Sequence, residues 1–313
     1  MADTRLTALR GLNEVFGQGG YSNLVLESLM RKNELTGQER AFCTALFYGV
    51  VERRITLDWV LGRYSRQPVE KLSPAVRDIL RMAVYQLLYM PSIPERAAVN
   101  EAVEMCRRNG RPRAAGMVNA VLRKFVANWM NMPPIPQGST AEYLSVRYSH
   151  PRWLVERLLE LLPAEEAEQF LQGDNDIVPT TIQTNLLKTD DESLLQELRQ
   201  AGVDIERHGW LPHCFTVSGT GSLERLPAFA EGRFMVQDAA AHLVTVVAGP
   251  QKGDRVQDVC AAPGGKSFAA AIAMEGEGQI LSCDIHPHKL KLIDSGAKRL
   301  GISCLRTMLA DAR

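Results

Sequence analysis

Apolar residues recur three or four positions apart through residues 1–130, which is the spacing of one face of an α-helix. Thr36 and Glu39 have the spacing of a capping box, and Ser73-Pro74 offers an N-cap followed by a first-turn proline. No alternating strand pattern intervenes, so this segment is predicted to be an all-α bundle. Its best-defined apolar face follows Pro74 and comprises Val76, Ile79, Leu80, Ala83, Val84, Leu87 and Leu88.

The middle of the chain has a different pattern. Residues 130–140, MNMPPIPQGST, contain three prolines and little that could pack, which is typical of a linker. Residues 131–235 as a whole are predicted to comprise this linker and a small α+β domain, because helical stretches alternate there with short strand-like pieces. The helices are predicted at about 151–162 and 192–201, and the strands at 180–187 and 214–219.

From residue 236 onward the pattern becomes strand, glycine loop, helix and strand. Strands that alternate with helices of this length indicate βαβ units and a parallel sheet. Residues 236–313 are therefore predicted to form a Rossmann-like α/β sheet, of which three strands are present before the sequence ends abruptly. The predicted strands are 254–260, 279–285 and 303–311, and the helix between the last two is 288–301.

Composition and charge narrow the class of protein. Apolar residues make up 45% and charged residues 23% of the chain, and no stretch approaches the roughly 18 apolar residues that a membrane span requires. The N-terminus lacks the apolar core of a signal peptide, so we expect a cytoplasmic protein and no membrane role.

The formal net charge of zero hides an asymmetry along the chain. Residues 1–130 carry 19 lysines and arginines against 12 aspartates and glutamates, net +7; residues 131–240 carry 8 against 17, net −9; residues 241–313 carry 9 against 7, net +2. The first segment is the candidate binder of a polyanion. A solvated helical surface explains the same charge equally well.

The cysteines are scattered without paired spacing, which argues against a zinc site or a disulfide framework. We expect reduced thiols that pack in the core, including a buried structural Cys260 beside the glycine loop. His208 and His213 with Cys214 give a weak alternative, a metal or Cys-His site in one loop. No metal is therefore expected. The six cysteines are Cys43, Cys106, Cys214, Cys260, Cys283 and Cys304.

Three groups at successive strand ends indicate a nucleoside pocket. Gly264 and Gly265 allow a cofactor to approach the backbone where a strand turns into a helix. Asp284 lies at the carboxyl end of the second strand, 20 residues after Gly264, where a carboxylate can accept hydrogen bonds from both ribose hydroxyls. Asp311 lies at the equivalent end of the third strand and could bond the exocyclic amine of an adenine.

Each part of this pocket also has a simpler interpretation. The glycines fit an ordinary turn, Asp284 fits a helix N-cap, and Asp311 fits a surface residue. A phosphate-binding loop competes as well, because Gly265-Lys266-Ser267 is its characteristic ending. That motif needs glycine five positions before Gly265, where Cys260 stands, so nucleotide hydrolysis is disfavoured.

The run DVCAAPGGK at 258–266 resembles the cofactor motif of the Nop2/Sun family of RNA cytosine-5 methyltransferases, and FMVQDAA at 234–240 resembles the segment that leads into it. Upstream, AVNEAVE at 98–104 and GMVNAVLR at 116–123 are similar to the helical domain shared with the antitermination factor NusB. The combination resembles the bacterial Sun (Fmu) branch, which methylates small-subunit (16S) ribosomal RNA. The resemblance implies a methyltransferase enzyme that binds S-adenosyl-L-methionine and ribosomal RNA, and we expect a monomer. The positions that match the family's cofactor site are Cys260, Ala261, Ala262, Pro263, Gly264, Gly265, Lys266, Asp284 and Asp311.

The residues that would perform the chemistry are not found. Methylation at carbon 5 requires a thiolate that adds to carbon 6 of the cytosine, because carbon 5 is not nucleophilic before that adduct forms. In the family that the chain resembles, this thiolate lies in a Thr-Cys-Ser segment, and a second cysteine follows Asp-Ala-Pro. Neither segment occurs in residues 1–313. We therefore expect the nucleophile beyond Arg313, a chain truncated in its catalytic domain, and no activity from this chain alone.

The candidate RNA-binding residues cluster near the Asn109-Gly110 turn. Such a patch suits phosphate contacts, which position an RNA without reading its sequence. Arginines stabilised by a helix dipole are the simpler alternative. A different class of function also stays open, an RNA-binding or ribosome-assembly factor with a vestigial cofactor fold. The candidates are Arg107, Arg108, Arg111, Arg113, Arg123 and Lys124.

Overall fold

The chain divides into two compact units, Met1–Asp176 and Ile177–Arg313. The predicted division into three domains, at 130 and 235, stays a prediction, and the predicted linker at 130–140 falls mostly outside the described residues. No helix in the described part of the chain is both long enough and apolar enough to cross a membrane. The computed structural model describes residues 4–131, 134–135, 140–176, 178–218 and 223–312.

The regular elements in the described residues of the first unit are all helical, which over residues 1–130 confirms the predicted all-α bundle. Two of its helices, α8 and α10, were not expected from the sequence. The helices are α1 (Thr4–Gln18), α2 (Ser22–Lys32), α3 (Gly37–Glu52), α4 (Arg54–Tyr64), α5 (Pro74–Tyr89), α6 (Glu95–Arg108), α7 (Ala115–Asn128), α8 (Thr140–Tyr148), α9 (Arg152–Leu161) and α10 (Ala164–Gly173).

Helix α5 lies at the centre of this unit and contacts α1, α3, α4, α6 and α7. The first five residues of its predicted apolar face are buried: Val76, Ile79, Leu80, Ala83 and Val84. The last two, Leu87 and Leu88, are half-buried and pack against the same core. The helix begins at Pro74, as predicted, although Ser73 makes no side-chain cap bond. Burial of this continuous face is what drives the bundle together.

The capping box predicted at Thr36 is wrong, although helix α3 does begin directly after that residue. Thr36 is the N-cap in extended conformation, but its side chain accepts no hydrogen bond from the first turn. The backbone closes that turn instead, because the Glu39 amide donates to the Thr36 carbonyl oxygen at 3.0 Å.

The second unit begins with an antiparallel sheet in the strand order β2-β3-β1-β4. Its inner face buries Ile182, Phe215 and Phe234 completely. Strands β1 and β3 confirm the two predicted strands, whereas β2 and β4, only four and three residues long, were missed. The elements are β1 (Thr180–Thr184), α11 (Asp191–Gln200), β2 (Asp204–Arg207), β3 (Cys214–Ser218), α12 (Pro227–Ala230) and β4 (Phe234–Val236).

A parallel sheet in the order β5-β6-β7 follows, which confirms the predicted Rossmann-like α/β arrangement. Phe268, Ile272, Ile293 and Leu300 of the following helices form its buried core. The elements are α13 (Ala239–Ala248), β5 (Arg255–Asp258), α14 (Gly265–Ala273), β6 (Gln279–Asp284), α15 (Pro287–Leu300) and β7 (Leu305–Leu309).

Buried polar contacts join the two sheets of the second unit. The completely buried Asn185, after β1, donates through Nδ2 to the carbonyl oxygens of Gly232 and Leu300, both at 2.8 Å. From the end of α15, Arg299 donates to the Phe229 carbonyl at 2.7 Å and places its guanidinium 3.9 Å from the centroid of that ring. The antiparallel sheet is thus held against the last turn of α15.

Candidate functional site

The glycine loop between β5 and α14 is a tight turn that only glycine can form. Gly264 has φ +112°, and a Cβ there would lie 2.3 Å from the Phe268 ring. Its amide donates to the Ala261 carbonyl at 2.6 Å, and the Ala261 amide donates to the Cys283 carbonyl at 2.8 Å. The loop is therefore anchored to the end of β6 and carries its backbone close to the first turn of α14.

Asp258, the last residue of β5, holds this loop from the other side. Its Oδ1 accepts from the Cys260 amide at 3.3 Å, and its Oδ2 accepts from the Ser267 hydroxyl at 2.8 Å. The Ser282 hydroxyl on β6 in turn donates to Ser267 at 2.8 Å. Asp258 thus positions the loop, a role that the sequence reasoning did not assign to it.

Asp284 and Asp311 lie at the carboxyl ends of neighbouring parallel strands, as the sequence predicts: Asp284 is the last residue of β6, and Asp311 lies two residues after β7. Asp284 is only 8% exposed at the end of β6, and its Oδ1 accepts from the His286 amide at 3.0 Å. This hydrogen bond from the His286 amide, together with the positive charge of Lys289, lowers the pKa of Asp284 below its ordinary value, although burial acts to raise it. The Ala310 amide donates to the Asp284 carbonyl at 3.2 Å, so the exposed Asp311 lies one residue beyond this contact.

The alternative role of Asp284 as a helix N-cap does not describe its position. The N-cap residue of α15 is His286, which makes no side-chain cap bond, and the Asp284 carboxylate closes a turn two residues earlier. This turn accounts for one carboxylate oxygen. A ribose-binding role for Asp284 stays a prediction.

The expectation that Cys260 is a buried structural thiol is wrong, because this residue is exposed. Strand β5 ends at Asp258, so Val259 and Cys260 belong to the loop at the carboxyl edge of the sheet, where no helix covers them. Pro263 and Lys266 are exposed on the same loop, Ala262 and Gly265 are half-buried, and Ala261 and Gly264 are buried.

The remaining cysteines follow the core-packing expectation with one exception. Cys43, Cys106, Cys214 and Cys283 are buried, whereas Cys304 is half-buried just before β7. Burial raises the pKa of both Cys43 and Cys106 to about 11.

The side chains of the loop before β3 are used within the fold. His208 Nδ1 accepts from the Leu211 amide at 3.2 Å, and His213 Nδ1 lies 3.0 Å from Asp191. Across the residues that the structure describes, no three His, Cys, Asp or Glu side chains are grouped so as to hold a metal ion.

Gln237, between β4 and α13, is a candidate site residue that the sequence did not indicate, although it lies in the segment FMVQDAA at 234–240. The side chain is 7% exposed and lies beside the glycine loop, since a Cβ on Gly265 would be 3.5 Å from its Nε2 atom. Neither Nε2 nor Oε1 has a hydrogen-bond partner among the described residues. No signal in the sequence reports an unpaired amide, because pairing depends on the tertiary structure.

The candidate RNA-binding residues fall into two groups on α6, α7 and the turn between them. Arg107 and Arg108, in the last turn of α6, both contact Glu104, at 3.2 and 3.3 Å, and Arg111 and Arg113 are exposed in the following turn. Arg123 lies eight residues after the start of α7, about 12 Å along the helix axis, with Lys124 beside it. The basic surface is therefore elongated, and part of its charge is balanced by one carboxylate.

Family models match three consecutive stretches of the chain. The NusB family model matches residues 2–127, a ferredoxin-like domain model of RsmF/B-like methyltransferases matches residues 150–224, and the model of the 16S rRNA methyltransferase RsmB/F matches residues 245–313. The NusB-like character of the helical segment and the methyltransferase fold of the last segment are thereby confirmed.

Whole-chain relatives agree with these models. The probable ribosomal RNA small subunit methyltransferase B of Bacillus subtilis is 34% identical over 98% of this chain and 68% of its own length. Ribosomal RNA small subunit methyltransferase B of Escherichia coli O1:K1 is 30% identical over 95% of this chain and 67% of its own. The crystal structure of PH0851 superposes with a TM-score of 0.75 at 25% identity, covering 98% of this chain and 69% of that one. The chain therefore belongs to the family of ribosomal RNA small subunit methyltransferase B, the RsmB/F methyltransferases.

Proposed function

We propose that this chain binds S-adenosyl-L-methionine at its glycine loop and small-subunit ribosomal RNA through its helical unit, and that it serves the methylation of carbon 5 of a cytosine in 16S rRNA. The names of its relatives support the ribosomal RNA substrate. When bound, S-adenosylmethionine supplies a methyl group on a positively charged sulfur atom.

The residues of the loop fit such a donor. Gly264 and Gly265 keep the backbone free of side-chain bulk, and the first amides of α14 lack acceptors within the helix, because its first intrahelical bond runs from the Phe268 amide to Gly264. Helix N-termini carry partial positive charge and favour a carboxylate such as that of the donor's amino-acid end.

The nearly buried carboxylate of Asp284 is the observation that carries the proposal. Its lowered pKa keeps it ionised, so it can accept hydrogen bonds from two neighbouring hydroxyl groups such as those of a ribose. It ends β6, which pairs with β5, the strand that leads into the glycine loop. Asp311, after the next strand, is exposed and suited to accept from an exocyclic amine.

The elongated basic surface of α6 and α7 suits the phosphates of a folded RNA. The contacts of Arg107 and Arg108 with Glu104 do not oppose this role, because ion pairs between exposed side chains are worth only about 0–1 kcal/mol. A phosphate can therefore replace Glu104 as their partner.

Calorimetric titration of the chain with S-adenosylmethionine tests the cofactor proposal. We expect binding that Asp284→Ala weakens at least about tenfold, because hydrogen bonds to a charged group are lost. Asp294→Ala is the matched control: this exposed aspartate on α15 contacts Thr307 and should leave affinity unchanged. Equal affinity in parent and Asp284→Ala would reduce Asp284 to a turn residue.

Bisulfite sequencing of 16S rRNA tests the position of methylation. Cells that lack the gene for this chain should lose one 5-methylcytosine, and the intact gene should restore it. Unchanged 5-methylcytosine together with defective subunit assembly would contradict the methylation and favour the assembly-factor alternative.

A further inference from the structure

The backbone of Gln237 is fixed on both sides by one neighbour. Its amide donates to the Thr181 carbonyl at 3.2 Å, and its carbonyl accepts from the Thr181 hydroxyl at 2.6 Å. The next residue, Asp238, is the N-cap of α13 and accepts from the amides of Ala240 and Ala241. The starting point of the Gln237 side chain is therefore rigid.

This carboxamide differs from the buried amides of Asn185 and Gln86, which are paired at both nitrogen and oxygen, and from that of Gln183, in which Oε1 alone is a buried atom without a partner. Asn185 uses Nδ2 for two carbonyl oxygens and accepts at Oδ1 from the Leu187 amide, and Gln86 donates to Met82 and accepts from Arg5. Gln237 has no partner for either Nε2 or Oε1 within the described residues, although it is more than nine-tenths buried. A buried amide that only served the fold would be paired by its neighbours, since leaving it unpaired is unfavourable.

The Gln237 carboxamide lies at the N-terminus of α14. A Cβ on Gly265, the first residue of that helix, would be 3.5 Å from Nε2 and 3.9 Å from Cδ. Glycine at this position leaves the space beside the carboxamide open, and the unpaired amides of the first turn lie at the same place. The donors of a helix N-terminus and an amide with both a donor and an acceptor therefore converge on one point.

Resting on the proposed function, we propose that Gln237 is a binding residue for the amino-acid end of the methyl donor. Nε2 donates to the carboxylate and Oε1 accepts from the α-ammonium group, while the first turn of α14 provides further donors for the carboxylate. A carboxamide is suited to a zwitterion because one planar group offers both a donor and an acceptor.

Ligands that differ only in the amino-acid end give a direct test. Calorimetry compares S-adenosylhomocysteine, which has this end, with 5′-methylthioadenosine, which keeps the nucleoside and the sulfur but lacks it. Gln237→Leu should weaken S-adenosylhomocysteine binding about tenfold or more and leave 5′-methylthioadenosine binding unchanged. Gln251→Leu, which changes an exposed glutamine of the same unit, is the matched control for both ligands.

Thermal unfolding of the ligand-free chain separates binding from a structural role. Replacing an unpaired buried amide by leucine should leave the melting temperature equal or raise it, whereas a structural amide would lower it. A lowered melting temperature, equal weakening of both ligands, or unchanged S-adenosylhomocysteine affinity would overturn the role of Gln237. If in the last case Asp284→Ala still weakened binding, the proposed function would stand without Gln237. A parent chain that bound neither ligand would overturn both.

Discussion

Replacing Gly264 by alanine should destabilise the second unit for two separable reasons. At φ +112° a residue with a Cβ costs about 1–3 kcal/mol. The new Cβ would also lie 2.3 Å from the Phe268 ring, which is buried in the core of the parallel sheet. Moving a packed core ring costs roughly 1–3 kcal/mol more. The free energy of unfolding should therefore fall by about 2–6 kcal/mol, a large part of the 5–15 kcal/mol that is usual for a domain.

The chain offers a control that isolates the backbone term. Gly253 also has positive φ, +85°, but a Cβ there would meet nothing within 4 Å. Gly253→Ala should therefore cost only the backbone term of about 1–3 kcal/mol. Combining Gly264→Ala with Phe268→Leu should relieve part of the clash and restore part of the lost stability. The two substitutions should therefore show a coupling energy of about 1 kcal/mol or more.

Hydrogen exchange in increasing urea, measured on the full chain, is the suitable assay. Three of the four tryptophans, Trp59, Trp129 and Trp153, belong to the first unit, so fluorescence reports mainly on that unit. Peptides from residues 255–285 report on the loop and its two strands directly. Equal losses in Gly264→Ala and Gly253→Ala, with no coupling to Phe268→Leu, would refute the steric argument.

Three further predictions concern charge, protons and thiols. Changing four arginines to glutamate should weaken the binding of all RNA sequences and reduce its salt dependence, as measured by filter binding; these are Arg107, Arg108, Arg111 and Arg113. The control changes four other exposed arginines, which alters the net charge equally and should have little effect: Arg31, Arg147, Arg152 and Arg157. Equal weakening by both variants would contradict the assignment of the RNA-binding surface. Burial lowers the pKa of His242 below 6.5, so the chain should lose stability as the pH falls from 6.5 through the folded-state pKa of this residue. His242→Gln should remove that loss in urea titrations, and the same pH profile in parent and variant would contradict the role of His242. Iodoacetamide should label the exposed Cys260 in the folded chain well before Cys43 and Cys106, whose pKa is about 11. Mass spectrometry of the labelled peptides measures this order, and the reverse order would show that the glycine loop is covered.

The predictable parts of the fold are those where local pattern and burial coincide. The apolar face of α5 is continuous, so its spacing alone identified both the helix and the residues that the core would bury. The glycine loop was predictable because Gly264 and Gly265 stand between a strand and a helix pattern. The position of the carboxylates at the carboxyl ends of β6 and β7 followed from the geometry of a parallel sheet.

The missed elements have too few residues or too little apolar contrast for a local pattern. Strand β2 has only four residues and β4 only three, too few for alternation to identify a strand reliably. Helix α10 has only Phe170 and Leu171 as large apolar residues, and α8 directly follows a proline-rich stretch that favoured a linker. The buried Leu144 and Tyr148 of α8 pack against residues of other helices, and these contacts exist only in the folded unit.

Two features of the site lay beyond sequence reasoning for a different reason. The exposure of Cys260 depends on which residue ends β5, and a shift of two residues moves the thiol from a strand into the loop. The unpaired state of Gln237 depends on every neighbour within reach, including Gly265, which is 28 residues away along the chain. Spacing cannot report either property.

The two hydrogen bonds of Asn185 also determine how the second unit can open. Both hydrogens of one amide are used, one toward the loop before β4 and one toward the end of α15, and the side chain is completely buried. Separating the antiparallel sheet from α15 would break the bond from Asn185 to the Leu300 carbonyl together with the bond from Arg299 to the Phe229 carbonyl, so the two parts should separate in a single cooperative step. The strand that leads to Gln237 and the end of α15 are therefore kept in fixed register, so the backbone of Gln237 should already hold its position before the methyl donor proposed for it arrives.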